Sequence, residues 1–207
     1  FLARCFVAAG LLAGIPLALA RGPVLLLIGL AGAAGGYFYT APPVALKRRG
    51  LGEAAAFILM GPLLFMGSWL TLTGRSAWEI LPESLPAGFL VAAIMCGNNL
   101  RDLEADRAAG LKTLAVRLGY RTGRWSYGLL GLGAYGSHLA LVLTGRAAAG
   151  SLLFFATAPF YFSIAANLIH GRMDRLRHVD MKTAQIYMLS IGLGIAGGLG
   201  HYLWKAG

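Results

Sequence analysis

Charge is what this chain has least of. Only 13% of its 207 residues are Asp, Glu, Lys or Arg, and just eight of those are acids. An ordinary soluble domain carries about a quarter charged residues. So sparse a set, beside 57% hydrophobic residues and a mean hydropathy of +0.68, excludes a water-facing surface and describes a polytopic membrane protein. Cysteine is equally scarce. Cys5 and Cys96 each sit in an apolar run, with no spacing for zinc or a disulfide framework, and read as inert packing residues. No internal repeat or low-complexity linker breaks the sequence, which reads as one domain over residues 1–207.

What the chain has instead is apolar length and glycine. Hydrophobic windows give seven spans, at about 1–20, 23–39, 54–73, 86–98, 124–145, 150–170 and 183–204. The fold class that follows is all-α, a polytopic transmembrane helix bundle. Thirty glycines suit it, because small residues let membrane helices approach closely. The formal charge of +10 raises nucleic acid as a partner, but its distribution answers otherwise. Assigning the connections alternately to two sides puts Arg4, Lys47, Arg48, Arg49, Arg101, Arg107, Lys112, Arg117, Arg121, Arg124, Arg172, Arg175, Arg177 and Lys182 on one side. Only Arg21, Arg75, Arg146 and Lys205 fall on the other. The positive-inside rule makes the crowded side cytoplasmic, and the membrane itself, not a nucleic acid, is the expected partner.

Three longer polar segments lie on that side, at 40–53, 99–123 and 171–182. The second is the densest in chemistry. Asn98, Asp102 and Asp106 are spaced i, i+4, i+8, which lines them along one helical face at about 6 Å intervals. Oxygen ligands at that spacing suit a hard divalent cation such as Mg²⁺, usually held by one or two carboxylates plus substrate phosphates. Arg101, Arg107 and Lys112 follow directly and can hold a diphosphate that the metal bridges. Spacing alone also leaves open a charged loop that is merely solvated. In the first segment, Pro42 and Pro43 end the preceding helix and can turn Lys47 and Arg48 back toward the bundle. Taken alone, Tyr39 is an interfacial aromatic and the Lys47-Arg48-Arg49 run a topology determinant. The third segment, with Asp174 and Asp180, reads as solvated loop. On the far side, residues 74–85 with Trp78 read as an interfacial stretch. His138, mid-span beside Ser137, reads as a hydrogen-bonding residue between helices rather than a metal ligand. Gly110-Leu111-Lys112-Thr113 lacks the upstream glycine and preceding strand of a phosphate-binding loop.

Asn98-Asn99-x-Arg101-Asp102-x-x-x-Asp106-Arg107-x-x-Gly110-x-Lys112-Thr113-Leu114-x-Val116-Arg117-Leu118-Gly119 resembles the second aspartate-rich motif of the UbiA superfamily of intramembrane aromatic prenyltransferases. Tyr39 to Glu53 resembles the tyrosine and basic loop after that family's fourth helix. Gly50-Leu51-Gly52-Glu53, Gly61 and Gly67-Ser68-Trp69 are most similar to the branch acting on 1,4-dihydroxy-2-naphthoate. Two features depart from the pattern: Gly110 stands where some relatives have a third acid, and Lys47-Arg48 is more typical of other branches.

The resemblance implies a nine-helix bundle of which the seven spans are the third to ninth. It implies a cavity facing the cytoplasm, two aspartate-rich motifs holding Mg²⁺ and a prenyl diphosphate, and an apolar groove for the isoprenoid. The first of those motifs does not occur in these 207 residues and is expected upstream of Phe1. On this reading Asn98, Asp102 and Asp106 are metal ligands, with Asp102 and Asp106 catalytic. Lys47, Arg48, Arg101 and Lys112 contact the diphosphate, and Tyr39 steadies the reacting carbon or the acceptor ring. The expected substrates are a prenyl diphosphate and an aromatic acceptor, dihydroxynaphthoate foremost, with 4-hydroxybenzoate, homogentisate and chlorophyll-type acceptors as alternatives. A catalytically silent membrane subunit of the same fold is another alternative. A transporter would pair charges in mid-membrane, whereas these acids cluster at span ends.

Overall fold

The structure, a computed structural model, describes residues 2–171 and 177–206. Among them there is no strand. Within the described residues nine α-helices run α1 (Leu2–Arg21), α2 (Pro23–Thr40), α3 (Gly52–Ile58), α4 (Leu64–Thr73), α5 (Leu81–Arg101), α6 (Leu103–Ala108), α7 (Leu114–Leu143), α8 (Ala158–Ile169) and α9 (Val179–Ala206). Each of the seven expected spans coincides with one helical rod. Six rods are long and apolar enough to cross a membrane: Pro23–Thr40, Gly52–Thr73, Ala77–Arg101, Leu114–Leu143, Ala149–Ile169 and Val179–Lys205. The remaining span, 1–20, falls on α1, twenty residues long. The protein is therefore a polytopic helical membrane bundle, as composition requires.

The rods are not all regular. Gly52–Thr73 passes from α3 to α4 through a π-turn over Leu59–Leu63 that contains Pro62. A proline without an N–H cannot close the ordinary i→i−4 bond, and a wider turn absorbs the gap. The 149–157 segment is wound as a 3₁₀ helix before α8 begins. In α7 the backbone breaks at Gly119, at φ 77°, a conformation that glycine adopts without a Cβ penalty.

α5 is the hub, packing against α3, α7 and α9. The core lies between α5, α7, α8, α9 and the 149–157 turns, around Leu90, Leu100, Tyr127, Phe154, Tyr161 and Ile186. Tyr127 and Tyr161 stack with centroids 4.8 Å apart. In lipid there is no hydrophobic drive between helices, so close packing and interhelical hydrogen bonds hold the rods together. Both occur here. A Cβ on Gly150 or Gly197 would fall 2.1 Å or 2.0 Å from the other's carbonyl oxygen, so the two backbones touch only because both are glycine. Tyr127 pairs with Thr183 at 2.7 Å, Tyr135 with Thr157 at 2.9 Å, and Thr157 with Ser190 at 2.5 Å. His138 Nε2 meets the Ser151 carbonyl at 3.0 Å, which is the interhelical role expected of it. α2 buries none of its residues fully: Leu26, Leu27 and Leu30 are exposed to lipid, while Leu25 and Ile28 pack against Met66 and Leu70.

The two ends of the bundle differ. At one, Arg21 donates to the Thr71 carbonyl at 2.9 Å, and Arg146 reaches Glu83 at 2.8 Å. The far-side stretch 74–85 is more helical than expected: a 3₁₀ turn over Ala77–Ile80 leads into α5, whose first turn holds Pro82, so the fourth rod starts earlier than residue 86. At the other end lie the cation-rich connections, where Arg117 donates to the Lys112 carbonyl and Arg124 to those of Leu168 and Ile169. The alternating assignment of connections thus matches contacts in the structure. Arg172, Asp174 and Arg175 lie outside the described residues.

Candidate active site

The cation-rich end gathers residues from three distant segments, with Arg101, the last residue of α5, at their centre. Its Nε and Nη2 donate to the two oxygens of Asp102 at 2.8 and 2.9 Å, a two-pronged clamp, while Nη2 also donates to Asn98 Oδ1 at 2.7 Å. Nη1 donates to Asp180, at the start of α9. One guanidinium therefore binds three oxygen-bearing side chains, one of them 79 residues away in sequence. Such charge-assisted, forked bonds are the strong and directional kind. The Arg101 guanidinium beside Asp102 holds that carboxyl below the ordinary value of 3.8, and Lys47 adds to the effect. That places the Lys47 charge within reach of Asp102, as the turn-back of the proline loop requires.

The local fold explains the register. Asp102 itself leaves helical geometry, at φ −93° and ψ 9°, so α5 and α6 are separate helices. Yet its N–H still bonds the Asn98 carbonyl at 3.0 Å, and the Asp106 N–H bonds the Asp102 carbonyl at 2.7 Å. The i, i+4, i+8 ladder of Asn98, Asp102 and Asp106 thus survives in the backbone. Their side chains divide: Asn98 and Asp102 join Arg101, whereas Asp106 is buried, with Oδ2 unpartnered. Arg107 turns outward to Glu104, at 3.0 Å.

The proline loop is held against this segment. Lys47 is half-buried in a 3₁₀ turn over Leu46–Arg49 that closes at Gly50, φ 72°. A Cβ there would also fall 2.8 Å from Arg117 Cδ and displace that side chain, while the left-handed backbone itself favours glycine. Arg48 and Lys112 are exposed, and their side chains make no hydrogen bond among the described residues.

A second polar knot lies deeper. Glu53, in the first turn of α3, is 7% exposed, and its Oε1 accepts from Asn99 Nδ2 at 2.8 Å. Glu53 Oε2, Asn99 Oδ1 and Tyr39 Oη are all buried without a partner. Tyr39 Oη would lie 3.4 Å from a Cβ on Gly52, next to Glu53. The structure thus adds Glu53, Asn99 and Asp180 to the residues expected from sequence. Glu53 and Asp180 escape notice because acids in a helix's first turn ordinarily answer the helix dipole. Only the folded chain shows whom they face.

Among the described residues no three His, Cys, Asp or Glu side chains converge as a metal site. The donor set nonetheless fits a hard cation: Asn98, Asp102, Asp106 and Asp180 offer only oxygens, and buried Asp106 Oδ2 and Asp180 Oδ1 have unused lone pairs.

The chain is 32% identical over 194 residues to 1,4-dihydroxy-2-naphthoate octaprenyltransferase of Mycobacterium tuberculosis, covering 93% of this chain and 65% of the relative. It is 33% identical to the Bacillus subtilis protein of the same name, covering 83% and 57%. To 2-carboxy-1,4-naphthoquinone phytyltransferase of Synechocystis it is 28% identical, covering 80% and 54%. The chain therefore spans between about half and two thirds of the length of these relatives. No solved structure matches it. The pattern of the UbiA prenyltransferase family matches residues 2–191, nearly the whole chain, and the chain belongs to that family.

Proposed function

We propose that the protein transfers a polyprenyl group from a prenyl diphosphate to 1,4-dihydroxy-2-naphthoate, with Mg²⁺ as cofactor and with the site facing the cytoplasm. The observation that carries this reading is the gathering of Asn98, Asp102 and Asp180 on one cation, beside Lys47, in a chain with only eight acids. The names of the relatives support the acceptor, and the cation-rich end supports the orientation.

In this reading Asn98, Asp102 and Asp106 hold the metal, and Asp180 belongs with them. Bound Mg²⁺ would neutralise diphosphate charge and so improve the leaving group. Lys47, Arg48, Arg101 and Lys112 are the protein's own contacts to the diphosphate oxygens, placed where negative charge grows as the allylic C–O bond breaks. The electron pair of that bond leaves with the diphosphate. The surrounding apolar helices keep water from the allylic cation. The ring carbon bearing the carboxyl attacks, and loss of CO₂ returns the bonding pair to the ring and makes the step irreversible. Tyr39, at the inner edge, steadies the acceptor ring.

The test is the pair of substitutions Asp102→Ala and Asp106→Ala in membranes carrying the protein. Each should lower prenyl transfer by about 10²–10³-fold, and a chelator should do the same reversibly in the wild type. Activity near wild type in either folded variant would remove that residue from the site.

A further inference from the structure

A groove of about 580 Å³ runs between α8 and α9, apart from the site just described. On α9, Asp180 turns to Arg101, while Lys182, about 200° further round the helix, turns the other way. Lys182 and Gln185 of α9 and Asn167 and Ser163 of α8 are among the polar residues lining the groove, and Phe160, Ile164, Leu189 and Leu193 are among its apolar ones. Lys182 is exposed and makes no ion pair among the described residues. Arg177 and His178, just before α9, are exposed at the same end.

Its dimensions limit the occupant. From Lys182 to Leu193 the helix rises about 16 Å, roughly half of a ~30 Å hydrocarbon core. The groove thus spans one leaflet, with its cation at headgroup level and its apolar residues at chain level. We propose that it is a binding site for an anionic phospholipid. The phosphate sits on Lys182 and Gln185, and one acyl chain lies along Phe160, Ile164, Leu189 and Leu193. Charge complementarity selects the headgroup: a lone lysine over an apolar channel, carried by a chain of net charge +10, favours a negative lipid over a zwitterionic one.

The test counts lipids bound to the delipidated protein by native mass spectrometry, with phosphatidylglycerol and phosphatidylcholine titrated separately. Phosphatidylglycerol should bind more tightly. Lys182→Gln should weaken it about fivefold without changing phosphatidylcholine, and Leu189→Trp, which fills the groove, should weaken both. Arg49→Gln, an exposed cation elsewhere at the same end, should change neither. Equal binding of the two lipids, or wild-type phosphatidylglycerol binding in Lys182→Gln or Leu189→Trp, would overturn the proposal. So would farnesyl diphosphate displacing phosphatidylglycerol through Lys182, since the groove would then serve a prenyl diphosphate. The readout is binding, so it stands or falls independently of prenyl transfer.

Discussion

Two side chains, Arg101 and Glu53, do different work at the polar end, and each can be isolated. Arg101 ties α5 to α9 through Asp180 and fixes the Asp102 carboxylate, so it sets where the oxygens of the second motif point. Asp180→Asn should therefore lower activity as a motif substitution does, although Asp180 lies far along the chain. A steady-state assay showing Asp180→Asn at wild-type rate would leave Asp180 a structural partner only. Glu53 is a buried carboxylate bonded to Asn99 in a helix otherwise built of small and apolar residues. Replacing it with alanine leaves the Asn99 amide buried and unpartnered, a loss of about 1–3 kcal/mol. Glu53→Gln keeps the accepting oxygen and should cost less. Thermal unfolding in detergent separates the two, and equal losses would mean that the Asn99 bond carries no stability.

Among the helices, the decisive contact is the glycine-to-glycine crossing of Gly150 and Gly197. Gly197→Leu has no room and should destabilise by about 1–3 kcal/mol or more. Gly136→Ala, with nothing within 4 Å of its Cβ, should be nearly silent by the same melting measurement. The apolar rods were legible in the sequence because a membrane span needs about 20 apolar residues and little else. Their ends were not. α7 begins at Leu114 rather than near residue 124, because Arg117 and Arg121 disqualify its first turns from any hydrophobic window while leaving them free to be helical. The Pro82–Glu83 stretch reads as a connection, yet proline belongs in a helix's first turn, which is where α5 places Pro82. In the site, the Asn98–Asp102–Asp106 register was readable from i, i+4 spacing. Its partner Asp180 was not, since a pairing across 79 residues leaves no local trace.

The whole molecule is a bundle with one end rich in cations and in unsatisfied oxygens. If that end faces the cytoplasm, single cysteines at Arg49, Ala109 and Arg177 should resist an impermeant thiol reagent applied to intact cells, while Glu79→Cys should react. The reverse pattern would invert the molecule. The most direct test of the central claim supplies membranes carrying the protein with one labelled prenyl diphosphate and, in parallel, 1,4-dihydroxy-2-naphthoate, 4-hydroxybenzoate and homogentisate. A prenylated, decarboxylated naphthol should form at least about tenfold faster than any other product, a barrier difference of about 1.4 kcal/mol. Faster prenylation of either other acceptor, or no prenylated product from any, would contradict it.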